Sequence, residues 1–151
     1  MESLWWTGCP GSRVRVGRRV EAAVEPGARL ERFDIPERFD ILPLLVCTDG
    51  ALSTFGRDLR RLRPNLVISG VEGLAERQWP GAILRLPEAE VALADLRRRC
   101  VMTTYDPDTA EQDPQVLRDI GRRFGWQLCL DAAVTRAGRI EVGHRVDLVA
   151  P

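Results

Sequence analysis

The sequence contains no lysine: all 22 of its basic residues are arginine. That absence excludes a Schiff-base nucleophile, covalently bound pyridoxal phosphate and a phosphate-loop lysine. Histidine is almost missing as well, with His144 alone in 151 residues. A multi-histidine zinc site is thereby excluded, and Ser-His-Asp or Cys-His catalysis has little to draw on. None of the four cysteines, Cys9, Cys47, Cys100 and Cys129, belongs to a C-x-x-C pair, so zinc-finger and thioredoxin-type motifs are absent too. No apolar run approaches the roughly 20 residues of a membrane span. Residues 1–11 lack the basic stretch followed by an apolar one that marks a signal peptide. Net charge is zero, so no global field points to nucleic acid. The expectation is a cytoplasmic protein without a membrane or nucleic-acid partner, its thiols free rather than bridged.

What is present suits a globular domain: 44% of residues are hydrophobic and 29% charged. Residues 1–12 are rich in Gly and Trp, and Trp5 and Trp6 are candidates for docking on the domain or on a partner. Val14, Val16 and Val20 around Gly17 predict a short hairpin. Residues 29–40, polar and punctuated by Pro36, read as a connection. Residues 42–47 form an apolar run suited to a buried strand. Asp49 is expected to cap a short helix over 51–55, with Gly56 ending it. Pro64 opens a second buried strand over 66–69, and 83–86 makes a third. Residues 88–99 read as a helix by composition, although their apolar positions also alternate.

The best helix signal lies at 113–125. Asp113 stands at the N-cap, Pro114 at the first helical position and Gly125 at the stop, with Gly121 a weak point inside. Trp126, Leu128, Leu130, Ala132 and Val134 then alternate as a strand. A turn at Ala137-Gly138 leads to Ile140 and Val142, and one at Gly143-His144 leads to Val146 and Leu148. Many short strands with few short helices predict a mainly β fold, a closed or partly closed barrel.

Several residues have plain structural readings. Cys47 in L-L-V-C and Cys129 in Q-L-C-L are expected in the core. Arg97, Arg98 and Arg99 could form a charged strand edge. Asp106-Pro107-Asp108 reads as turn chemistry. Trp79 is expected to pack and His144 to sit at the surface. Thr103 and Thr104 could be strand residues or ligands.

Two segments stand out, L-R-P-N-L-V-I-S-G at 62–70 and R-R-C-V-M-T-T-Y-D-P-D-T at 98–109, with Glu76 and Trp79 in A-E-R-Q-W between them. In order and spacing they resemble the MOSC family, named for the C-terminal domain of molybdenum cofactor sulfurases. The resemblance points to the branch of the mitochondrial amidoxime reducing component and its bacterial relatives. The tail R-I-E-V-G fits that family's closing hairpin, with His144 where an acidic residue is usual. The resemblance spans about residues 41–149. It implies a MOSC-type β-barrel and argues that 88–99 is strand. Residues 1–40 are then an N-terminal segment with the first strands, 41–151 the MOSC core, and the whole effectively one domain.

The resemblance further implies a molybdenum–molybdopterin cofactor, with Cys100 as metal ligand and catalytic residue and with Arg63, Asn65 and Arg99 facing the cofactor. Thr48 matches a cofactor-contacting serine of the relatives. The chemistry is compatible: a soft thiolate suits molybdenum, neighbouring guanidinium groups favour the thiolate form of a cysteine, and the arginine fork matches phosphate. Only forty residues precede Ile41, too few for the extra N-terminal domain of that branch. Arg98 is expected to replace a phosphate contact made there. Three functions stay open. One is a molybdenum oxidoreductase acting on N-hydroxylated compounds, with a redox or cofactor-donating partner. Another is a sulfur carrier using a Cys100 persulfide. The third is a non-catalytic binding module.

Overall fold

A computed structural model of the chain divides into two units, Met1–Arg38 and Phe39–Pro151. The structure describes residues 41–150, all in the second unit. The hairpin expected around Gly17, the connection at 29–40, Trp5, Trp6 and Cys9 lie outside the described residues.

Strand β1, Leu44–Thr48, is buried along nearly its whole length. An unbroken apolar run has no polar side to offer solvent, so both faces must be covered. Leu45 and Cys47 belong to one core cluster, together with Phe55, Val116 and Ile120. Val46 belongs to a second, with Leu84, Val91, Leu93 and Leu130. The strand ends where Thr48 caps helix α1, Asp49–Phe55, its hydroxyl accepting from Ala51 N at 3.1 Å. Asp49, expected to be the cap, is instead the first helical residue, because Thr48 holds the extended φ −117°, ψ 156° that a cap requires. Gly56, at φ 71°, ends the helix as its sequence position predicted.

Freed from capping, the Asp49 carboxylate accepts from Gly70 N at 2.7 Å and Val71 N at 3.0 Å and so anchors a distant loop. These N–H groups, Gly70 first, hold Asp49 below the usual carboxylate range. A depressed folded pKa stabilises the fold above the unfolded value, and that contribution vanishes as pH falls through the folded one. Asp49→Asn is therefore expected to narrow the difference in Tm between neutral and acid solution, roughly pH 7 and pH 3. A variant with the wild-type acid slope would contradict this.

Helix α2, Pro114–Phe124, follows its sequence signals. Asp113 accepts from Gln115 N at 2.9 Å, Pro114 opens the first turn and Gly125 stops the helix at φ 63°. Val116, Ile120 and Phe124, four residues apart, form the buried stripe. Gly121 is more than a weak point. A Cβ there would lie 2.6 Å from the Trp126 indole, so its lack of a side chain is what admits the ring.

Strands β2 (Leu66–Ile68), β3 (Ile83–Arg85), β4 (Glu90–Arg98), β5 (Gln127–Arg136) and β6 (Asp147–Val149) complete one sheet, ordered β2-β1-β5-β4-β3-β6. The sheet curls into a half-barrel. β2 runs parallel to β1, while the other pairs are antiparallel. Residues 90–98 are strand, not the helix their composition favours: pairing with β3 and β5 overrides a weak local preference. β2 is an edge strand, half-covered rather than buried, with Val67 46% exposed. The expected closing hairpin does not form. Residues 140 and 142 lie in irregular backbone, Val142 fully exposed, and β6 pairs with β3 instead.

β5 also breaks its expected alternation, since Leu128, Cys129, Leu130, Asp131 and Ala132 are all buried. Its register against β4 shifts between Leu96↔Leu130 and Arg98↔Gln127, two residues on one strand against three on the other. This is a β-bulge, and Cys129 sits in it at φ 67°, a left-handed conformation unusual for a non-glycine residue.

Candidate functional site

Three chain segments meet beside the start of β1. The first follows a short 3-10 turn, Leu59–Arg61, which buried Leu62 anchors to the core. Arg63 comes next, held at φ 56°. Asn65 then clamps onto β1: its main-chain N–H donates to Leu45 O at 2.9 Å, and its Oδ1 accepts from Leu45 N at 2.8 Å. The Asn65 amide nitrogen has no hydrogen-bond partner among the described residues and remains able to donate. The same clamp gives Asn65 a structural role at the start of β1, just before β2 pairs with it, which its sequence neighbours alone did not reveal.

The second segment is the end of β4. Arg97 pairs with buried Asp131 at 2.8 Å. Arg98 is exposed and, like Arg63, makes no ion pair with a described residue. Arg99 leaves the sheet: its N–H donates to Trp126 O at 2.8 Å and its Nη2 to Leu62 O at 2.6 Å. Burial pulls its guanidinium below the ordinary value, the expected response of a desolvated cation. Its Nε is buried with no hydrogen-bond partner. Such a donor is costly to leave unmatched.

The third segment begins at Cys100, exposed at the entry of a 3-10 turn, Val101–Thr104. The turn fixes Cys100 from behind. Thr103 donates its N–H at 3.2 Å and its hydroxyl at 2.9 Å to Cys100 O, and the Thr104 hydroxyl donates to Val101 O at 2.6 Å. Thr103 and Thr104 are thus turn rather than strand residues, buried, with their hydroxyl protons donated within the turn. Beyond it, Asp106 accepts from Asp108 N and Thr109 N, the turn chemistry its sequence suggested. Arg61 binds Asp106 at 2.8 Å and Arg60 binds Asp58 and Asp108, each at 2.7 Å, tying the segment to the Leu59–Arg61 turn.

The segments enclose a cavity of about 260 Å³ lined by Arg63, Asn65, Arg98, Arg99 and Cys100. Leu62 and Met102 contribute apolar wall. A neighbouring cavity of about 480 Å³ shares Arg63 and Met102. Five of the six residues singled out from the sequence therefore converge. Thr48 does not: it is fully buried, and its hydroxyl is occupied by Ala51 N and by Glu76, to which it donates at 3.1 Å. Sequence reasoning gave Glu76 no partner, and it did not find the Leu62 carbonyl that holds Arg99. Trp79 packs on the second core cluster, as expected. His144 accepts from Glu141 N in its own turn, away from the cavity.

A basic, partly apolar cleft with one exposed thiol can hold an anionic, ring-bearing group. Among the described residues no group of three or more His, Cys, Asp or Glu is placed to hold a metal ion. The cleft itself offers one thiol, and any metal there would bring further ligands with it. No helix among the described residues is long and apolar enough to cross a membrane.

A family model described as MOSC domain matches residues 52–147. Mitochondrial amidoxime-reducing component 1 of Mus musculus is 35% identical over 110 residues, covering 69% of this chain and 30% of that protein. Mitochondrial amidoxime reducing component 2 of Homo sapiens is 31% identical over 80 residues, covering 49% of this chain and 23% of that protein. The chain thus spans less than a third of these relatives. The crystal structure of the YuaD protein from Bacillus subtilis superimposes with a TM-score of 0.57 at 15% identity, covering 82% of this chain and 70% of that one. That likeness concerns the fold.

Proposed function

The chain belongs to the MOSC domain family, and from that premise we propose that its cleft binds a molybdenum–pterin cofactor, with Cys100 supplying the protein's sulfur ligand. One observation carries the reading: Arg63, Asn65, Arg98, Arg99 and Cys100 line a single cavity, into whose wall Arg99 brings a buried, unpartnered Nε. The residues present fit the group. A soft thiolate suits molybdenum. The guanidinium groups of Arg63, Arg98 and Arg99 match the phosphate and the acceptor edges of a pterin, and the Asn65 amide adds a donor. Cofactor of this kind, when bound, supplies two-electron redox chemistry; amidoxime-type, N-hydroxylated compounds are the proposed substrates, on the strength of the relatives' names. The chain's own contribution is to bind and orient. The 3-10 turn behind Cys100 fixes where its sulfur stands, and the Leu62 carbonyl fixes Arg99.

The test is molybdenum and pterin content of protein purified from a host that makes the cofactor. Wild type is expected to carry both. Arg99→Leu removes a charge-assisted hydrogen-bond donor worth about 1.5–3 kcal/mol, so pterin content at limiting cofactor should fall roughly tenfold or more. Wild type without molybdenum, or an Arg99→Leu protein as fully loaded as wild type, would sink the proposal.

The exposure of Cys100 also favours a second reading, a sulfane-sulfur carrier. Incubation with a cysteine desulfurase would then add one sulfur atom to Cys100, seen by mass spectrometry, in protein that holds no pterin.

A further inference from the structure

Beneath the cleft lie two further thiols that the proposed function does not use. Cys47 on β1 and Cys129 on β5 are both fully buried. The antiparallel register runs Leu44↔Ala132, Leu45↔Asp131, Val46↔Leu130; continued by one residue, it sets Cys47 opposite Cys129. Directly opposed residues of antiparallel strands have Cα atoms about 4.5–5.5 Å apart, inside the roughly 4.4–6.8 Å that a disulfide spans. The side chains point at each other, with the sulfurs 2.6 Å apart. Opposed residues of an antiparallel pair share a face of the sheet, and both cysteines lie in one core cluster with Leu128. Cys129 also holds a left-handed φ of 67°, a local cost that asks for a reason.

We propose that Cys47 and Cys129 are a redox modification site, converted to a cross-strand disulfide by a small peroxide. The Cys129 thiol donates to the Cys47 sulfur, which holds Cys47 below the ordinary thiol range and pushes Cys129 up. Cys47 is accordingly the first nucleophile. Its sulfur attacks one peroxide oxygen, the O–O bond breaks, and Cys47 becomes a sulfenic acid while water leaves. The Cys129 sulfur then attacks the Cys47 sulfur; the S–S bond forms, the S–O bond breaks, and the departing hydroxyl leaves as water with the Cys129 proton. Two thiols lose two electrons in all, and one hydrogen peroxide is reduced to two waters. Burial selects the oxidant: a peroxide is close to water in size, whereas glutathione disulfide cannot reach a fully covered sulfur without opening the strands. The Arg99 guanidinium feels the charge of Cys129, Cys100 and Cys47 alike, so the pair sits under the wall of the cleft.

The absence of lysine makes the test clean. Trypsin cuts only after arginine, placing Cys47 in residues 39–57, Cys100 in residues 100–118 and Cys129 in residues 124–136. The folded full-length chain is treated with hydrogen peroxide or, in parallel, glutathione disulfide, then unfolded in alkylating agent and digested without reductant. Peroxide is expected to yield 39–57 joined to 124–136, lighter than the two peptides by two hydrogen atoms and separated by dithiothreitol. Glutathione disulfide should yield at least tenfold less of it. Cys100→Ser, which leaves the buried pair intact, should give the same linked peptides. Recovery of both peptides singly alkylated after peroxide overturns the proposal, as does a link between residues 100–118 and either of them. Equal yields with both oxidants overturn the claim that burial selects the oxidant.

Discussion

Cys100→Ala is expected to strip molybdenum from the protein while leaving it folded. Metal content should fall by more than the roughly 10–100-fold that loss of a residue merely supporting a ligand costs, because the proposed sulfur ligand is removed. The fold should hardly notice. Cys100 is exposed, and the turn behind it is held through its main-chain carbonyl, which alanine retains. Surface substitutions of this kind usually stay within about 0.5 kcal/mol. Two measurements therefore check the prediction, metal analysis for the loss and thermal melting for the constancy. Pterin should persist in part, since Arg63, Asn65 and Arg99 remain. Molybdenum at wild-type level in the alanine variant would remove Cys100 from the ligand role. A lowered Tm together with metal loss would move the effect from the site to the fold.

Gly50→Ala is expected to be strongly destabilising. Gly50 lies in α1 where the helix crosses the loop after β2. A Cβ there would stand 2.2 Å from Val71 O and 2.6 Å from both the N and the O of Gly73. These are main-chain atoms, which cannot rotate away as a side chain does, so either the loop or the helix must move. The same loop is held by Asp49, so any shift also loosens its bonds to Gly70 and Val71. Overpacking costs about 1–3 kcal/mol and sometimes more; backbone on one side and a shared anchor on the other place this case near 3 kcal/mol. The corresponding fall in Tm is on the order of 10 °C. A melting curve within about 2 °C of wild type would show that the two segments part more easily than their packing indicates.

Much of this arrangement can be read from the residues, and the exceptions share a cause. Helix α2 was legible because its cap, its opening proline, its buried stripe and its terminal glycine are local signals that agree. Strand β4 was not legible from composition, since Ala, Leu, Glu and Arg favour helix; its state is decided by partners, β3 and β5, that are distant in sequence. The β5 bulge stayed hidden for the same reason, because alternation is a property of one strand and a bulge is a property of two. Thr48 shows the limit most sharply. The resemblance set its hydroxyl against a cofactor, whereas in the structure Glu76 and Ala51 take it up. Residues carried by two short motifs line one cavity. The Leu62 carbonyl that orients Arg99 could not be foreseen, since a main-chain oxygen has no sequence signature.

The conformation of Arg63 has a kinetic consequence. Its left-handed φ, placed directly before a proline, costs of order 1 kcal/mol or more and is maintained by the bonds that Asn65 makes to Leu45. That cost is met when the chain folds, not when a ligand arrives. The main chain at Arg63 is therefore set before the proposed ligand arrives. Differences in affinity among ligands of the cleft should then reside in how slowly they leave rather than in how fast they enter.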